Sequence, residues 1–85
     1  MDVVYKPVFL RQYRKLPKEL QEEVKEQIAL FQADPKHPSL KAHKLQGKLQ
    51  GFWSFRVNYS YRIVFLYESK RRVALLAVGD HSVYE

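Results

Sequence analysis

Cysteine is absent from the 85 residues, which excludes a disulfide framework and thiolate metal sites and leaves no redox chemistry to the chain. Glycine is scarce, with three residues, and no glycine-rich phosphate loop is present. No His-Glu-x-x-His motif and no paired-carboxylate arrangement is present either. No metal or cofactor is expected. Long apolar runs are missing too: none approaches the ~20 residues that a bilayer span requires. The start, Met1-Asp2-Val3-Val4-Tyr5-Lys6, lacks the basic-then-apolar layout of a signal peptide. The expectation is a soluble, cytoplasmic protein with no membrane partner.

Apolar residues make up 46% of the chain and aromatic residues 14%, which sets it among globular domains and apart from disordered ones. A chain of this length has room for one domain, residues 1–85, burying roughly 60% of the surface its unfolded form exposes. Acidic residues run short only in one part. Residues 1–34 balance Lys6, Arg11, Arg14, Lys15, Lys18 and Lys25 against Asp2, Glu19, Glu22, Glu23, Glu26 and Asp34. Residues 35–85 set Lys36, Lys41, Lys44, Lys48, Arg56, Arg62, Lys70, Arg71 and Arg72 against Glu68, Asp80 and Glu85, so the whole net charge of +6 sits there. Such a segment is either a solvated basic surface or one that faces a polyanion.

Hydrophobic periodicity predicts the order βααβββ. Val3, Val4 and Tyr5 predict a first strand closed by Pro7. Phe9, Leu10, Tyr13 and Leu16 recur at helical spacing before Pro17. A second helix opens at Pro17 and carries Leu20, Val24, Ile28 and Phe31 on one stripe, with Glu19, Glu22 and Glu23 early and a stop at Asp34-Pro35. Residues 35–51 read as a basic loop with a short strand near its end. Trp53, Phe55 and Val57 alternate with Ser54, Arg56 and Asn58, the period of a half-buried strand. Residues 61–68 are apolar on both faces apart from Arg62, as in a central strand. A turn at Ser69-Lys70-Arg71-Arg72 leads to the last strand, 73–78. The fold class is α+β: a small, antiparallel-dominated sheet covered on one face by a helical hairpin, its other face partly open.

Four residues could carry chemistry. Arg62 interrupts an apolar strand, so its guanidinium either pairs with Glu68 or Asp80 or meets a polyanion. His81 follows Gly79-Asp80 at the end of the last strand, where a surface or capping role is the plain alternative. His43 lies in the basic loop, where solvation is the default, and Tyr84 could simply pack its ring. Taken together they match phosphodiester cleavage by a ribose 2′-OH, which needs a base, a cation for the phosphoryl charge and an acid for the leaving 5′-oxygen. Histidine titrates near neutrality and arginine holds phosphate bidentately. Lys41, Lys44, Lys48, Arg56, Arg71 and Arg72 are the candidates for gripping an RNA backbone.

Four segments, Lys44-Leu45-Gln46-Gly47, Trp53-Ser54-Phe55-Arg56-Val57, Tyr61-Arg62-Ile63-Val64-Phe65 and Gly79-Asp80-His81-Ser82-Val83-Tyr84, resemble in order and spacing the RelE/ParE superfamily of bacterial toxins. The likeness covers nearly the whole chain. It implies the toxin of a type II toxin–antitoxin system, and for the RelE, YoeB and YafQ branches an mRNA endonuclease acting on the ribosome and neutralised by a cognate antitoxin. The resemblance matches Arg62 to the strand arginine that contacts the scissile phosphate, and Arg56 to a strand lysine of RelE-type toxins. It matches His81 to a histidine of YafQ, Tyr84 to the terminal aromatic, and His43 to a histidine in YafQ or a basic-role glutamate in YoeB. Ser54 stands where RelE has a further catalytic lysine, which favours a histidine-based mechanism. The ParE branch, which targets DNA gyrase without cleaving RNA, is the alternative, and an inactive RNA-binding domain is a third. An antitoxin with an amphipathic, acidic segment would cover the open sheet face and its basic rim.

Overall fold

A computed structural model describes residues 1–80; His81 and Tyr84 lie outside the described residues. The elements run β1 (Asp2–Tyr5), α1 (Pro7–Arg14), α2 (Lys18–Ala33), β2 (His43–Lys44), β3 (Trp53–Arg56), β4 (Arg62–Tyr67) and β5 (Arg72–Gly79). Short 3-10 turns at Pro38–Leu40 and Gly47–Leu49 flank β2. Pro7 opens α1 at the one position where a missing N–H costs nothing. The helix ends two residues earlier than its apolar spacing suggests, because Lys15 and Leu16 donate back to Gln12 and Tyr13 in a tightened last turn. The α2 helix stops at Asp34, which Pro35 keeps out of helical geometry.

The sheet order is β1-β5-β4-β3-β2, with β4 in the middle. Every pairing is antiparallel except β1 with β5, which is parallel in the register Val3↔Val73 and Tyr5↔Leu75. Helix α1 follows β1, packs against β5 and guards the part of the β5 edge that β1 leaves uncovered. Beyond Leu75 the Val78 N–H donates to Gln12 Oε1 of α1 at 2.8 Å, so a side chain replaces the missing strand. An extra residue in β5 opposite the Val64/Phe65 step forms a bulge, a local increase in twist.

The core lies between the helices and one sheet face. Phe9 of α1 and Val24, Ile28 and Phe31 of α2 pack on Phe55, Ile63, Phe65, Val73, Leu75 and Val78. Phe31 stacks on Phe55 with centroids 4.6 Å apart and meets Phe65 edge-on at 4.9 Å. The period-2 alternation that aims these residues at the helices sends His43, Ser54, Arg56, Arg62 and Val64 to the opposite face. One difference from the sequence expectation concerns His43. It belongs to an edge strand, where pairing with β3 fixes which way it faces.

Candidate active site

Residues directly opposite one another in an antiparallel pair share a face, with Cβ atoms about 4.5–5.5 Å apart. His43 is opposite Ser54, and Arg56 is opposite Arg62. Since Ser54 and Arg56 are two apart on β3, register alone gathers His43, Arg56 and Arg62 on the face the helices leave uncovered.

Two cations opposite each other repel, and here neither is neutralised by a described carboxylate. The ion pairs among the described residues are Lys6–Glu68 and Lys25–Glu22; Glu68, one of the partners considered for Arg62, is held by Lys6 at 3.4 Å. Instead, backbone carbonyls of the β3–β4 turn hold both guanidiniums. Arg56 Nε donates to the Asn58 carbonyl at 3.1 Å, and Arg62 Nη1 donates to the same oxygen at 2.7 Å. Arg62 Nη1 also reaches the carbonyls of Tyr59 and Tyr61 at 3.2 and 3.0 Å. One edge of each fork is thereby anchored, and the Nη groups of Arg56 and the Nε and Nη2 of Arg62 point donors elsewhere. Dipoles compensate the two charges only in part, and a guanidinium's remaining N–H donors suit an anion's geometry.

The turn itself is organised by Asn58. Its Oδ1 accepts from the N–H groups of Ser60 and Tyr61, both at 2.9 Å, an Asx turn that folds the carbonyls inward. Its Nδ2 donates to Glu23 Oε2 of α2, and Gln27 Nε2, one helical turn on, donates to the Arg56 carbonyl at 3.0 Å. Sequence reasoning counted Asn58 only as an outward polar residue of a strand. The signal it missed was an asparagine in a short polar stretch between two strands, the usual seat of such a turn.

His43 is exposed, and its Nδ1 lies 2.8 Å from the Lys41 carbonyl. A carbonyl only accepts, so Nδ1 is the donor in this bond and Nε2 takes no part in it. Lys41 is the one non-glycine among the described residues with positive φ, at 48°, a left-handed conformation that aims its carbonyl at the imidazole.

The remaining predicted contacts are dispersed. Lys44 points to the other face, its ammonium 5.6 Å from the Trp53 ring centroid. Lys48 lies in the 3-10 turn beyond it, exposed. Arg71 and Arg72 are at the far end of β4 and β5 from Arg62, so the structure does not bring them to the histidine–arginine face. Strand β5 ends at Gly79, opposite Arg62.

A family model described as the RelE-like toxin of the type II toxin–antitoxin system HigB matches residues 10–81. The chain belongs to this HigB-like toxin family. No protein of curated function matches the toxin in sequence. Solved structures do match it in fold. The YoeB/ParE toxin from Agrobacterium tumefaciens superposes with a TM-score of 0.77 at 21% identity, covering 95% of this chain and 99% of that one. YafQ from E. coli gives 0.80 at 16% identity, covering 98% and 96%. YafQ in the E. coli DinJ–YafQ toxin–antitoxin complex gives 0.77 at 17%, covering 96% and 93%. The mixed sheet with two helices is thus a RelE-like toxin fold.

Proposed function

We propose that this toxin is a ribosome-dependent mRNA endonuclease that cleaves by attack of a ribose 2′-OH on the adjacent phosphodiester, without a metal. The observation that supports it best is the shared face of His43, Arg56 and Arg62, where an imidazole stands beside two cations whose guanidiniums are anchored on backbone carbonyls of one turn. His43 removes the 2′-OH proton, with Tyr84 as the other candidate base. Arg62 and Arg56 stabilise charge on the phosphoryl oxygens, and His81 protonates the leaving 5′-oxygen. The bond to the 5′-oxygen breaks as the bond to the 2′-oxygen forms, leaving a cyclic phosphate and a 5′-hydroxyl end. Lys41, Lys44, Lys48, Arg71 and Arg72 hold more distant phosphates of the ribosome-bound RNA. The partner that silences the toxin is a cognate antitoxin, as the DinJ–YafQ complex is one of toxin with antitoxin. The toxin acts in the cytoplasm, where mRNA is translated.

Mapping of mRNA ends on translating ribosomes, run beside a gyrase–DNA cleavage assay, tests this reading. Cleavage with 5′-hydroxyl ends is expected, and His43→Ala should lower the single-turnover rate on the order of 10²- to 10⁴-fold with little loss of binding. Growth arrest with intact mRNA and trapped gyrase–DNA breaks would instead make the chain a gyrase inhibitor.

A further inference from the structure

The turn that anchors the arginine pair also displays a side chain the chemistry above does not use. Tyr59 is 84% exposed, whereas the other exposed large hydrophobics among the described residues reach at most 44%. A ring left in water at the tip of a short turn buries nothing for the fold, yet this one is held in place. The Arg56 guanidinium covers one face, 5.8 Å from the ring centroid. The Tyr59 carbonyl accepts from Arg62 Nη1, and the Asn58 side chain closes the turn on both sides of it. The same hydrogen bonds that fix the two cations therefore fix the backbone that carries the ring, and Arg56 lies over one of its faces.

We propose that Tyr59 is a stacking platform for a nucleobase, next to the phosphate held by Arg56 and Arg62. The inference rests on the RNA-cleaving reading given above. A nucleotide joins an anion to a flat apolar base within a few bonds, and the turn offers the complementary pair at matching scale: guanidinium donors beside an exposed aromatic ring. Stacking on a phenol ring ignores base identity because every base has a π-face. The ring beside the guanidiniums argues for nucleic acid over an acidic protein segment as occupant. A base uses the ring and a phosphate uses the fork, whereas a carboxylate uses the fork alone. Glu23, the described carboxylate bonded within this turn, is taken by the Asn58 amide.

Single-turnover cleavage on mRNA-programmed ribosomes, measured over a range of toxin concentrations, tests the platform. Tyr59→Ala should raise the half-saturating concentration on the order of ten- to a hundred-fold and leave the rate at saturation unchanged. Tyr59→Phe and Tyr59→Trp should behave as wild type, since the ring and not the hydroxyl does the stacking. The exposed position makes all three variants fold normally, with melting temperatures that verify it. Wild-type half-saturation for Tyr59→Ala would overturn the proposal while leaving the cleavage reading intact, as would equal losses for Ala and Phe. Unchanged RNA cleavage with weakened binding of the antitoxin would overturn it too, making Tyr59 a protein contact. Absence of cleavage by the wild-type toxin itself would remove the reading underneath, and this inference with it.

Discussion

The Asn58 carbonyl accepts from both arginines, so a residue with no charge decides where two charges sit. Its side chain is accountable for the turn on one side and for the tie to Glu23 on the other. These two duties can be separated. Asn58→Asp keeps the acceptor that folds the turn but sets a carboxylate against that of Glu23. A hydrogen bond to a charged group is worth about 1.5–3 kcal/mol, so cleavage at low toxin concentration should fall roughly ten-fold. Adding Glu23→Gln restores a donor–acceptor pair with the polarity reversed, and cleavage should recover. Single-turnover rates for the two single variants, the double variant and the wild type form a cycle; strictly additive losses would show that the tie does not position the arginines. His43 depends in the same way on a backbone group, since the Lys41 carbonyl, set by a left-handed backbone, accepts from its Nδ1.

Helix α2 joins the two halves of the molecule. One stripe buries Val24, Ile28 and Phe31 in the core, while Glu23 and Gln27 on an adjoining stripe reach the arginine-bearing turn. Phe31 is fully buried and packs on Phe55 and Phe65, the core-facing aromatics of β3 and β4, the strands that carry Arg56 and Arg62. Phe31→Ala should cost about 3–5 kcal/mol. A domain of this size has a total stability of roughly 4–13 kcal/mol, so equilibrium urea unfolding should show a midpoint shifted far down or no folded baseline. Loss below 1 kcal/mol would mean that the aromatic cluster repacks around the gap. Strand β2 shows how little regular structure a site residue needs. Its two residues, His43 and Lys44, are paired with Ser54 and Trp53, and the pairing alone sends one to the arginine face and the other over the tryptophan.

At the scale of the whole molecule the radius of gyration is 11.8 Å, the value expected of a single compact domain of this length, about 12 Å. Among the described residues no helix is long and apolar enough to cross a membrane. The surplus of positive charge in residues 35–85 is spread over two sheet faces and both ends of β4, so an RNA bound by all of it would have to wrap the domain. Binding to ribosome-held mRNA should weaken with salt at a log–log slope of about −0.7 for each phosphate contact. Filter binding from low to physiological salt measures it. Neutralising Arg71 and Arg72 together should make the slope shallower by the contacts they supply, and an unchanged slope would place them off the RNA path.

Periodicity alone determined much of this protein: the helix stripe of Val24, Ile28 and Phe31, the alternation of Trp53 to Val57 and the apolar run around Val64 each repeat a local pattern that burial enforces. The central place of β4 followed from its being apolar on both faces. The order of the motifs along the chain pointed to the family, and the family model matching residues 10–81 agrees with it. What the sequence could not hold is anything set by distance across the sheet. The parallel partner of β1, seventy residues away, and the edge bond from Gln12 to Val78 depend on how α1 lands on the sheet. The tie from Asn58 to Glu23 and the bond from Gln27 to the Arg56 carbonyl, which fasten the arginine turn to α2, likewise depend on how the helix lands. Hydrophobic pattern is a property of neighbours along the chain, whereas hydrogen-bond partners of a charged group are chosen by the packed structure, and only the tertiary fold decided them.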